Sequence, residues 1–173
     1  LWLIAALALC AAAAVGVTLS FMFKKAEKTN TFVPAEVICE VEESLLSGVK
    51  RNVCVENTGN AAAYLRIRLV SYYVYANDSI AGSVSSQYPM LTLRNGWIAG
   101  TDHTYYYTTP VEPGEKTEIL CDPITLDTVE LADGTTVYQV LEVFAEAIQA
   151  EPVRAVQEAW NVTVSGTRIT PIS

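Results

Sequence analysis

Apolar and polar positions fall into two patterns along the chain. Residues 1–23, LWLIAALALCAAAAVGVTLSFMF, carry no charge and match the roughly 20 apolar residues that a helix needs to cross a bilayer. From Val37 onward, apolar residues recur at every second position in short runs broken by glycine, proline and asparagine, the period of strands with one wet face. Val37, Cys39 and Val41 alternate with Glu36, Glu40 and Glu42. Val53 and Val55 alternate with Asn52, Cys54 and Glu56, and residues 57–60 supply the turn that stops this second run. Leu65, Ile67 and Leu69 are expected to face inward and Arg66 and Arg68 outward, on a central strand that runs into Tyr72, Tyr73 and Tyr75.

Residues 76–89 read as a polar loop, followed by two strands joined around residues 100–102 with Trp97 buried. Residues 116–121 read as another strand, between the Pro113-Gly114 turn and Asp122-Pro123. Asp133-Gly134 marks a tight hairpin, and residues 137–149 form the last long strand. Only residues 151–160 have helical spacing: Pro152 suits a first turn, and Val153, Val156 and Trp160 share one face. Residues 161–164 add a final strand that closes the sheet. About seven strands and one short helix predict an all-β fold, an antiparallel β-sandwich of immunoglobulin-like type preceded by an apolar N-terminal helix.

The strongly apolar part of the leader is shorter than the whole run, because Gly16, Thr18 and Ser20 stand near its end. That is the plan of a signal peptide, with cleavage between Ser20 and Phe21. The alternative is a retained anchor, favoured by Lys24 and Lys25, since positive charge tends to stay on the cytoplasmic side. The chain divides into a signal peptide or anchor at 1–23, a linker or donor strand at 24–31 and a β-sandwich domain at 32–173.

A length of 173 residues, with 51% hydrophobic and 17% charged, gives one core and hardly two. The formal net charge of −8, with the basic residues scattered, excludes a nucleic-acid partner. Catalytic and metal constellations are absent. The single histidine, His103, has no second imidazole for zinc, and no G-x-S-x-G elbow accompanies it, so it reads as a turn residue. Glu40, Glu42 and Glu43, and Asp122 with Asp127, lack calcium-loop spacing and read as solvated carboxylates. No cofactor is expected, and the chain is not expected to be an enzyme. Tyrosines at 72, 73, 75 and 105–107 read as strand residues ahead of sugar-stacking platforms. By strand parity Cys39 and Cys121 point to the core and Cys54 to the polar face, so a Cys39–Cys121 disulfide is the most plausible bridge, with free buried thiols as the alternative.

Several of these stretches together resemble the TasA/camelysin family, exported through a dedicated SipW-type signal peptidase of Gram-positive bacteria. The matching residues are Gly16, Thr18, Ser20 and Phe21 at the junction, K-T-N-T-F ending at Phe32, V-x-N-T-G at 55–59, W-x-x-G-x-D at 97–102, P-V-x-P-G-E at 110–115, and AIQA at 147–150 before the helix. The resemblance spans nearly the whole chain and is strongest to small members of the family; Lys24 and Lys25 stand where acidic or polar residues are usual there. It implies an immunoglobulin-like or jelly-roll body acting at the cell surface or in a biofilm matrix, with membrane and signal peptidase as partners of the leader. In fibre-forming relatives the new N-terminus of one subunit pairs as a donor strand with the next. Here that implies a homo-oligomer or fibre assembled through Phe21, Phe23 and Phe32, the bland alternative being a membrane-anchored surface binding module tethered by this segment. Some relatives are described as casein-cleaving metallopeptidases, a reading the single histidine argues against.

Overall fold

The computed structural model describes residues 35–172. The leader, the cleavage pair Ser20 and Phe21 and the segment with Phe21, Phe23 and Phe32 lie outside the described residues.

The first alternating run folds as β1 (Cys39–Leu46) and turns through Ser47 and Gly48, at φ 52 and 72, into β2 (Val49–Asn57). Two left-handed residues make the two-residue turn that suits strand twist, and only glycine adopts that region without cost. The ladder runs from Cys39 opposite Asn57 to Leu46 opposite Val49, with an irregularity between Glu42 and Ser44. Next come β3 (Ala63–Val74), β4 (Trp97–Ala99), β5 (Thr104–Tyr107), β6 (Ile124–Thr125), β7 (Thr128–Glu130) and β8 (Thr136–Gln149). The helix α1 (Val153–Trp160) and the hairpin of β9 (Val162–Ser165) with β10 (Arg168–Pro171) complete the described chain.

Two antiparallel sheets result, in the orders β4-β5-β3-β8-β7 and β1-β2-β6, with β9 and β10 forming a separate two-stranded sheet. The predicted central strand is central: β3 pairs along its whole length with β8, from Ala63 opposite Gln149 to Val74 opposite Tyr138. The sheets share one core in which Val53 and Val55 of β2 meet Leu65, Ile67 and Leu69 of β3, Leu141 of β8 and Trp97 of β4. Val55, Leu65 and Ile67 are fully buried, each worth about 1.5–3 kcal/mol of burial.

The other face of β3 is half covered. Val156 and Trp160 of α1 pack with Tyr64, Tyr106, Val162 and Ile169 in a second cluster, and Trp160 lies over Arg66 with 4.7 Å from guanidinium carbon to ring centroid. Arg66 also holds Glu146 at 2.6 Å. The loop at 76–89 is fastened to the sheets, because Ser71 Oγ and Gln139 Nε2 both donate to the carbonyl of Gln87, at 2.6 and 2.7 Å.

Three expectations change, and a fourth gains a detail. Residues 116–121 flank β2 without forming a regular strand, since the amide of Thr117 donates to Val55 and that of Leu120 to Val53. Three residues thus oppose two, which bulges the ladder. The strand at 161–164 does not close a main sheet, because it pairs with β10, whose four residues are too few to declare themselves by period. Cys54 stands on the polar face as its parity sets it, 3.8 Å from Glu42, and is buried there. Finally, Cys39, Cys54 and Cys121 are all free thiols, so the Cys39–Cys121 bridge is not formed. Cys39 is on β1, on one flank of β2, while Cys121 follows the segment bonded to the other flank. Two strand spacings of ~4.8 Å already exceed the ~7 Å within which two Cα atoms can be bridged.

Candidate interaction groove

One open feature of the surface is the outer edge of β8. β7 pairs with Thr136, Val137 and Tyr138, and the amide of Gln139 donates to the carbonyl of Asp127 at 2.9 Å. There the neighbouring chain leaves: Leu126 leads back to β6, whose Ile124 and Thr125 pair with Lys50 and Val49 of the other sheet. Past that crossover, residues 140–149 of β8 are hydrogen-bonded to β3 on one side and to no strand on the other, among the described residues, although β1 runs alongside without pairing. An unpaired strand edge is a template for a further strand.

The edge beside residues 139–144 faces a groove of about 460 Å³ whose opposite wall is the end of the β1–β2 hairpin. Leu126 lines it with Leu141 and Val143 of β8 and with Leu45 of the hairpin. Large apolar side chains are left in water around it: Leu45 is 60% exposed, Leu46 71% and Phe144 47%. Exposed apolar side chains gathered about one groove are informative in a way that single exposed leucines are not. Val143 is only half-buried although it packs against the core that fully buries Leu65 and Ile67 on the neighbouring strand.

The rim is acidic. Lys50 is buried and its Nζ holds Glu43 Oε1 at 2.6 Å, which satisfies a cation that would be costly to leave unpaired. Glu142 accepts a hydrogen bond from the Tyr72 hydroxyl at 2.8 Å, and that bond pushes the Tyr72 phenol pKa up. Glu142 is in none of the ion pairs among the described residues, so its charge is uncompensated.

The remaining candidates carry less chemistry. His103 sits at the tip of the β4–β5 hairpin with φ 56 and stacks on Tyr88, ring centroids 3.4 Å apart. Among the described residues, no group of three or more His, Cys, Asp or Glu side chains is placed to hold a metal ion, and no helix is long and apolar enough to cross a membrane. Burial pushes the Cys39, Cys54 and Cys121 thiols up, Cys121 to about 11, which holds them in the unreactive protonated form. Glu42, with Glu56, surrounds Lys116 at 2.5 and 3.4 Å on the outer face of the small sheet, an ion-pair cluster in water.

Nothing in the residue pattern announced the groove. Its walls come from strands far apart in sequence, and the one local signal was the adjacent pair Leu45-Leu46 before a Ser-Gly turn. No family model, no curated protein and no solved structure matches the chain.

Proposed function

We propose that the chain is an exported structural protein of the cell surface or biofilm matrix, brought to the membrane by its apolar leader and processed by a signal peptidase. Its body is an immunoglobulin-like or jelly-roll sandwich, and it self-associates when the segment around Phe21, Phe23 and Phe32 of one copy adds as a strand beside β8 of another. The resemblance to the TasA/camelysin family supports this reading. The single observation that carries it is the vacated row beside residues 140–144, where the strand edge is unpaired and the groove floor is apolar.

Dimensions agree with such an occupant. Residues 21–34 precede the body, and extended at ~3.3 Å per residue they reach farther than five residues of edge require. The chain enters the body beside the Cys39 end of β1, whereas the groove lies at its Leu45 end, which favours the segment of a second copy over the chain's own. Alternate aromatic side chains, Phe21 and Phe23, suit a strand with one face against an apolar floor.

The test is deletion of residues 21–28 in protein expressed with its leader and recovered outside the cell. Wild type is expected to form polymer by electron microscopy and to elute earlier in size exclusion as concentration rises, and the deletion to remain single. Polymer formed equally well by the deletion variant would end the reading. A leader still attached to a protein that stays single would point instead to the anchored binding module.

A further inference from the structure

We infer that Glu142 is the cation-reading residue of the groove, taking the ammonium group of Lys24 or Lys25 from the segment of a second copy laid along β8. This rests on the strand reading above and adds to it which charged groups set the fit.

Three observations carry it. First, β8 alternates: Leu141 and Val143 pack toward the core, while Val140, Glu142 and Phe144 stand on the outer face beside Tyr72, Val70 and Arg68 of β3. Second, of the carboxylates that line the groove, Glu43 is already held by Lys50, and Glu142 is the one without a cation among the described residues. Its hydrogen bond from Tyr72 fixes the carboxylate against the sheet but supplies no charge. Arg68, one register step away on β3, is in none of the ion pairs either, so its guanidinium lies beyond ion-pair reach of Glu142. Third, consecutive residues of a strand point to opposite faces, so adjacent lysines present one ammonium to the outer face whichever parity the added strand takes. With Phe21 and Phe23 on the groove floor Lys24 takes the outer face; with the opposite parity Lys25 takes it.

The charge balance gives the segment a reason to prefer this place. Residues 1–34 hold Lys24, Lys25, Lys28 and Glu27, so eight basic and eighteen acidic residues remain in 35–173, a net charge of −10 against +2 for residues 24–34. A basic aromatic strand entering an apolar groove that holds one carboxylate without a cation is electrostatically complementary.

Charge exchange in the exported full-length protein tests the assignment. Glu142→Lys, on the exposed face of β8, is expected to weaken association by about tenfold or more in sedimentation velocity while the circular dichroism spectrum stays that of wild type. The pair Lys24→Glu and Lys25→Glu, which leaves the body untouched, is expected to weaken it equally. All three substitutions in one chain restore opposite charges at the junction and are expected to return association close to wild type. If Glu142→Lys associates as well as wild type, or if the triple variant is not rescued, the assignment is wrong. Loss of association on deleting residues 21–28 in that same case would leave the strand reading standing.

Discussion

Burial acts on the described thiols in one direction, and its consequence is measurable in the protein's response to alkali. Cys121 is pushed up to about 11 by burial first and by the neighbouring Asp122 second, with Arg94 opposing, and the unfolded chain would release the same proton near 9.0. The folded state therefore keeps a proton that the unfolded state gives up. Its contribution to stability is complete below pH 9 and is lost as the pH climbs from 9 toward 11. Tyr64, Tyr73 and Tyr105 are also raised, chiefly by burial, and act with the same sign at higher pH. The urea midpoint is thus expected to fall between pH 8 and pH 10.5, and Cys121→Ala to start lower but fall less steeply. Parallel slopes for the two proteins would show that the thiol has no part in the pH dependence.

Among the elements, α1 shows how much a short helix can matter on a half-covered sheet. It has no side-chain hydrogen bond at its N-cap, Pro152, and no basic residue in its last turn, so its place depends on packing. Trp160 is the main contact, since it covers Arg66, meets Tyr106 edge-on with centroids 5.8 Å apart, and is only 8% exposed. Trp160→Ala is expected to cost about 3–5 kcal/mol in urea unfolding. A loss below about 1 kcal/mol would mean that the helix adds little to the fold. This helix was legible from the spacing of Val156 and Trp160, just as β2 and β3 were legible from Val53 and Val55 and from Leu65, Ile67 and Leu69: each residue repeats with the period of its own element. Cys54 was legible as a residue of the polar face, but its burial was not, because period reports the face a residue is on and says nothing about whether neighbouring side chains, here Glu42, cover that face. The groove was illegible for a related reason. It exists because β7 stops beside Tyr138 and the chain crosses to Lys50, a fact of strand neighbourhood that no local pattern encodes.

For the whole molecule the governing quantity is charge, and it pulls in two directions. Bodies of net charge −10 repel one another over a Debye length, which is about 30 Å at 0.01 M salt and about 8 Å at 0.15 M. The attraction proposed between a lysine and Glu142 acts at contact, where screening is far weaker, and the proposed burial of Phe21 and Phe23 in the groove would be strengthened by salt if it changed at all. At the lowest ionic strength the long-range repulsion therefore opposes assembly most. Near 0.1–0.3 M that repulsion is screened out while the contact pair persists, and toward 1 M, with a Debye length of about 3 Å, the pair itself fades and leaves the apolar contacts. Association followed by light scattering from 0.01 to 1 M sodium chloride is accordingly expected to rise, pass through a maximum at moderate salt and then fall part of the way back. The Glu142→Lys variant, which has no contact pair to lose, is expected to rise without the later fall. A wild-type curve that only decreases from the lowest salt would mean that contact pairing outweighs the repulsion between bodies even when that repulsion is unscreened. A curve that only increases would mean that no ion pair contributes, and that burial of apolar side chains in the groove is the whole of the attraction.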